Sequence, residues 1–238
     1  TPIGNVYSTN ITPDAQVGIG AYSYEDFARA LRSGVARDKR NLYPAMPYTA
    51  YAKINDDDMR ALYAYFVEGG VAAVAQPNRA SDIPWPLNMR WPLKIWNWLF
   101  HDNRQFQPSS EQDAAWNRGA YLVQGPAHCG TCHTPRGLAF QEKALDETGK
   151  DYLAGASLGG WYAYNITSDK LSGIGQWSID DVVAYLKTGR AVGIGQAAGP
   201  MGEAVAHSFQ YLDETDLKAI ARSLASVPAV SQGDTRAR

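Results

Sequence analysis

The chain has 238 residues, a formal net charge of -2, 45% hydrophobic and 19% charged residues, a balance that fits one or two folded domains and excludes a disordered chain. No Lys/Arg run stands out, which removes the footprint of a nucleic-acid binder, and no apolar run reaches the roughly 18 residues of a membrane-spanning helix. Two cysteines are too few for a disulfide scaffold, and a start at Thr1 without initiator Met or leader suggests a piece of something longer.

In chain order, the first predicted helices run from Ser23 to Ser33 and from Asp56 to Phe66. Residues 67–108 hold Pro77, Pro84, Pro86, Pro92 and Pro108 with Trp85, Trp91, Trp96 and Trp98. Proline breaks long elements and tryptophan carries a large apolar payload. An ordered connector with its tryptophans packed away from water is expected, with a short helix over Trp91 to Phe100 and Pro92 in its first turn. Ser110 with Asp113 predicts a capping box and a helix to about Gln124. Trp116, Ala120 and Val123 share its inner face, and Gly119 permits a close crossing. Ser178 with Asp181 predicts a second capped helix, closed by Gly189. Asp213 starts a last helix with Leu217, Ile220, Ala221 and Leu224 on one face. Few segments alternate as strands, so the class is all-α.

These elements repeat. Tyr7, Asn10-Ile11-Thr12, Asp14, Gly18-Ile19-Gly20, Ser23, Asp26, Leu31, Gly34 and Met46 recur without a gap at an offset of 155, from Tyr162 to Met201. Internal repetition of this kind marks duplication. It divides the chain into a partial domain (1–66), the connector (67–108) and a second domain (109–238). The first copy lacks its opening helix, so Phe27, Leu31, Met59, Leu62 and Phe66 are expected to line an uncovered face, with Met46 pointing into the gap.

Only the second copy is preceded by Cys129-Gly130-Thr131-Cys132-His133, the c-type haem attachment pattern. Two thiols on one helical turn can both add to haem vinyl groups, and the adjacent His can present its imidazole to the iron. A thioredoxin-like motif shares the cysteine spacing but sits in a βαβ setting absent here. Zinc could use His128, Cys129, Cys132 and His133 but ordinarily needs a second, distant ligand pair. The iron's sixth ligand is expected from Met201, in Gly199-Pro200-Met201-Gly202, with His207 as rival. Met59 and Met89 read as core and connector residues. The Pro135 carbonyl is a candidate acceptor for the His133 Nδ1 proton. Arg136, Tyr164, Asn165 and Trp177 are candidates to bond the haem propionates, and His101 and His128 read as surface residues.

Four segments, Tyr7 to Asp14, Leu42 to Tyr48, Asp82 to Leu87 and Trp116 to Val123, resemble the multihaem cytochrome c subunits of bacterial membrane-bound dehydrogenases acting on alcohols, gluconate, sorbitol, fructose or aldehydes. The resemblance covers almost the whole chain. It implies tandem class I cytochrome c-like domains facing the periplasm at the outer face of the inner membrane. They would take electrons from a dehydrogenase catalytic subunit and pass them to ubiquinone. It also implies that His133 and Met201 are the axial ligands of a middle haem c, and Met46 the distal ligand of a first haem. The sequence departs from the pattern: a first Cys-x-x-Cys-His, a third domain and the C-terminal membrane-anchoring segment are missing, which suggests a fragment. Two other functions fit the motif, a peroxidase-like haem enzyme and a stand-alone periplasmic cytochrome.

Overall fold

The computed structural model describes residues 4–231 and is dominated by helices. They are α1 (Tyr24–Ser33), α2 (Tyr48–Tyr51), α3 (Asp56–Val67), α4 (Pro92–Phe100), α5 (Ala114–Gln124), α6 (Cys129–His133), α7 (Ile179–Thr188), α8 (Gly199–His207) and α9 (Glu214–Ser226). Two small antiparallel hairpins, absent from the sequence reading, accompany them: β1 (Ala156–Leu158) with β2 (Trp161–Ala163), and β3 (Arg190–Ala191) with β4 (Gly195–Gln196). Each strand has two or three residues, too short to show an alternating pattern. The chain forms two compact units, Thr1–Phe106 and Gln107–Arg238.

In the second unit α5 packs against α9, burying Trp116, Ala120, Leu122 and Val123 with Leu217, Ile220, Ala221 and Leu224. The close approach depends on Gly119, because a Cβ there would collide with the Ala219 carbonyl and press on Ser223 Cβ. The helix starts are set by polar caps. Asp113 alone caps α5, its carboxylate accepting from Trp116 N at 2.8 Å, so the expected Ser110–Asp113 box gives way to a cap one step inward. The Ser178–Asp181 box on α7 forms, as does its counterpart Ser23–Asp26 on α1, and Asp213 caps α9. Each such cap satisfies amide donors that the helix itself leaves free.

The two copies of the Asn-Ile-Thr loop fold alike. Asn10 Oδ1 accepts from Thr12 N and Oγ1 at 2.9 and 2.7 Å, and Asn165 Oδ1 does the same for Thr167 at 2.9 and 2.7 Å. Ile19 N donates to Thr12 O at 2.9 Å and Ile174 N to Thr167 O at 3.0 Å. The glycines around each Ile face carbonyls so close that any Cβ would clash, which accounts for the repeated Gly-Ile-Gly.

The first unit has a small core of its own. Phe27, Ile54 and Met59 are buried together, with Leu31, Leu62 and Phe66 packed against them. The expectation that these side chains line an uncovered face is corrected: they turn toward one another, between α1 and α3. Met46 is half-buried in the turn before α2 and is not sealed in that core.

The connector completes this unit. The Tyr48 hydroxyl donates to Asn97 Oδ1 at 2.7 Å, and the Tyr48 and Trp96 rings meet edge to face. Lys53, itself buried, reaches Asp102 at 3.0 Å. His101 is half-buried, with Nε2 2.7 Å from the Arg32 carbonyl and its ring against Tyr48, so it is a packing residue and not the surface histidine expected. The tryptophans divide. Trp96 is half-buried, but Trp85, Trp91 and Trp98 lie mostly in solvent, against expectation. On a single helix the side chains that face the unit exclude those on the opposite side.

Candidate functional site

The chemistry-bearing residues of the second unit gather after α5. Gly125 ends that helix, the chain turns, and His128 takes a left-handed conformation (φ 39°) before α6 begins. His128 is half-buried rather than the surface residue expected. Helix α6 consists of the five residues Cys129 to His133. Both cysteines therefore sit on one turn, three residues apart and on neighbouring positions of the helix surface.

The turn is fastened at its C-terminal end. The His133 carbonyl accepts from Gly155 N at 2.6 Å, and Thr134, fully buried, accepts from Leu153 N through its hydroxyl at 3.1 Å. The imidazole is fixed too. His133 Nδ1 lies 2.7 Å from the Tyr164 carbonyl oxygen. A carbonyl can only accept, so Nδ1 carries the proton and Nε2 keeps its lone pair. Burial holds the imidazole's pKa below its ordinary value, the carbonyl contact opposing this in part, which favours the neutral ring. The expected acceptor, the Pro135 carbonyl, is engaged by Lys143 N at 2.9 Å instead. Sequence proximity suggested Pro135, but the folded chain brings a residue 31 positions away to the ring.

Arg136 supports the turn from behind. Its guanidinium donates to the Thr131 and Phe140 carbonyls and lies 3.5 Å from Glu142. Burial raises the Glu142 carboxyl's pKa, and the Arg136 charge opposes that rise. These contacts commit the guanidinium locally. Asn165 is a clearer correction to the propionate set. It is buried, its amide nitrogen donates to Ser172 Oγ and the Val230 carbonyl, and its oxygen is taken by Thr167. Tyr164 contributes its backbone, while its ring lies in solvent against Tyr162. Trp177 is half-buried, edge-on to Tyr185.

The surroundings of both thiols favour their protonated form. Burial, reinforced by the neighbouring Cys132, pushes the Cys129 thiol up to about 12, and burial raises Cys132 as well. A reactive cysteine needs the opposite shift. Among the described residues no three His, Cys, Asp or Glu side chains converge as metal ligands, so the four-ligand zinc set considered above is not assembled.

A covalently attached planar cofactor suits these donors better. The fit rests on neutral thiols sharing a turn, a His lone pair fixed by its tautomer, and a buried polar atom without a partner on a residue that packs against the turn. That atom is Tyr152 Oη, which is buried without a partner near Cys129. The Tyr152 ring packs 3.4 Å from where a Cβ on Gly130 would sit, between the two cysteines. No sequence signal marked Tyr152, since nothing distinguishes it from the other tyrosines before folding.

Met201 is half-buried in the first turn of α8, a helix not among those predicted above. Gly199 takes φ 51° there, with the Trp161 ring lying where its Cβ would project. His207, the rival ligand, is exposed at the other end of α8. Met46 belongs to the first unit.

No family model matches the sequence. The chain is 53% identical to the gluconate 2-dehydrogenase cytochrome c subunit of Pantoea cypripedii, over 99% of this chain and 54% of that protein. It is 49% identical to the cytochrome c subunit of the quinone alcohol dehydrogenase of Gluconacetobacter polyoxogenes, over 98% of this chain and 51% of that one. It is 34% identical to a diheme cytochrome c-type protein of Cereibacter sphaeroides, over 97% of this chain and 74% of that one. The chain thus spans about half the length of the first two relatives.

Proposed function

We propose that this chain, which belongs to the family of cytochrome c subunits of bacterial dehydrogenases, carries electrons through a haem c attached in its second unit. The observation that carries this reading is the fixed attachment turn. Cys129 and Cys132 share it, and the Tyr164 carbonyl holds the His133 proton on Nδ1, leaving Nε2 to ligate. His133 and Met201 would hold the iron, and the two cysteines would form thioethers. When bound, haem c supplies a one-electron iron couple. The protein's part is to orient the imidazole, keep water from the thioether side and brace the turn through Arg136 and Glu142. Arg136 acts as a positioning residue, and Trp177 supplies a half-buried indole from which a propionate can accept.

The first unit is read as the distal half of a further cytochrome domain, with Met46 as its ligand-bearing residue. The electron donor is a dehydrogenase catalytic subunit and the acceptor ubiquinone, at the periplasmic face of the inner membrane. The names of the relatives support the first of these. No helix among the described residues is long and apolar enough to cross a membrane.

The test is spectroscopic, on protein matured in a periplasm. A pyridine haemochrome assay should give one haem c for the second unit. Met201→Ala should abolish the near-infrared charge-transfer band that accompanies Met ligation of ferric haem. A protein whose haem extracts into acidified acetone, or a band that survives the substitution, would remove the respective assignment.

A further inference from the structure

Helix α4 carries an apolar face that the first unit does not use. One side of the helix is tied down. Trp96 meets Tyr48 and Phe100, and Asn97 takes the Tyr48 hydroxyl. The other side carries Trp91, Ile95, Trp98 and Leu99, which are 64%, 50%, 82% and 56% exposed. Their spacing of four, seven and eight residues puts them on one stripe. The preceding loop adds Trp85 and Leu87, both exposed. A tied helix cannot roll these side chains inward, and isolated exposed apolar residues are ordinary, whereas a contiguous patch marks an interaction surface.

The charges on this segment are of one sign, and the exposed Asp38 beside Lys39 is paired with Arg40 at 3.6 Å. From Ile83 to His101 the chain holds Arg90 and Lys94 and no Asp or Glu. Arg90 is anchored over the Tyr43 ring and bonded to the Asn41 carbonyl. Lys94 and Lys39 are both exposed and line, with Trp98, an open cleft of about 470 Å³ beside the stripe. Indole rings flanked by cations, with aliphatic side chains between them, are the composition of a helix lying in a membrane interface. Tryptophan suits that position because its ring is apolar and its N–H prefers water and headgroups.

We infer that the Trp91–Ile95–Trp98–Leu99 face of α4, with Lys39 and Lys94 at its edge, docks the chain onto an anionic lipid surface. The indoles enter the boundary between headgroups and acyl chains, and the two lysines meet lipid phosphates in the cleft. Such docking is peripheral, and it is independent of which haem the second unit holds.

Vesicle flotation of the whole haem-loaded chain tests this. The chain should float with vesicles of phosphatidylcholine and phosphatidylglycerol mixed equally and much less with phosphatidylcholine alone, and added salt should weaken the binding. Its tryptophan fluorescence should be quenched by brominated lipids. The double substitution Trp91→Ser, Trp98→Ser should lower partitioning about tenfold or more. Lys39→Glu with Lys94→Glu should remove the preference for phosphatidylglycerol. All four positions are exposed, so unchanged far- and near-ultraviolet circular dichroism would show that each variant is folded. A chain that stays unbound in the mixed vesicles, or serine variants that float as well as the parent, overturns the assignment. So does a result in which those variants keep lipid binding and lose assembly with a dehydrogenase catalytic subunit, which would make the face a protein interface.

Discussion

Helices α3 and α9 carry matching sequence positions and use them differently. Asp58-Met59 corresponds to Asp216-Leu217, so Ala61 stands where Ala219 does and Tyr65 where Ser223 does. In α9 both positions are buried under Gly119 of α5. In α3 both lie in solvent, Tyr65 with half its surface free. The inner faces agree, since Met59 and Leu217 are each buried. The helix pattern alone therefore sets which residues can be core, and the partner helix decides which of them are. The first unit holds together by other means: the connector's Trp96, His101 and Asp102 press on Tyr48, Arg32 and Lys53.

Removing the attachment thiols gives the largest effect expected. Cys129→Ala with Cys132→Ala should eliminate covalent haem from the second unit completely while the first unit folds unchanged, as read by haem staining and by tryptophan fluorescence. Haem retained on the double variant would break the contrast between the units.

Gly119→Ala comes next. The added methyl meets a backbone carbonyl that cannot rotate away, so a loss of about 3 kcal/mol is expected from overpacking. Urea unfolding followed at the haem absorption reads it.

Asp102→Ala should cost the first unit about 2 kcal/mol, because buried Lys53 keeps its charge and loses its partner. The same pair predicts a pH dependence. Burial pulls the Asp102 carboxyl upward, but hydrogen bonds from Arg104 and Lys53 outweigh it and hold the pKa well below the carboxylate range. A depressed carboxylate stabilises fully above its unfolded value, about 4, and loses that contribution as pH falls through the lower folded value. Acid titration of the Asp102→Ala protein should therefore show a flatter stability curve below about pH 4 than the parent.

The capping boxes should respond equally in both units. Ser23→Ala and Ser178→Ala are each expected to cost about 1 kcal/mol, and unequal losses in thermal melts would mean that the repeated boxes carry different loads. Smallest of all, Ala61→Gln should change stability by less than about 0.5 kcal/mol, since nothing covers that position.

Much of this was written locally. Ser23, Ser178 and Asp213 announce the starts of α1, α7 and α9 because a cap acts within three residues. Gly119 announced a crossing because only a missing Cβ allows it. The attachment motif lay in one turn and could be read directly. What the sequence hid depends on distant contacts. The acceptor for His133 is a backbone carbonyl, which any residue could have supplied. Asn165 looked available for a ligand until its amide proved to be spent on Ser172, Val230 and Thr167. The exposed tryptophans of α4 ran against composition, because apolar content predicts burial only when something is present to bury against.

The fastening of α6 bears on the order of events in assembly. Thr134 and His133 are stitched to Leu153 and Gly155 by backbone amides, and His133 is latched again to Tyr164. Once these bonds close, residues 153–164 are pinned to the C-terminal end of the turn. A maturation enzyme needs the thiols on an accessible strand of chain. On the function proposed here, covalent attachment therefore belongs to the time before residues 152–164 reach the turn. A chain that closes first would have to open this loop locally before it could receive its cofactor.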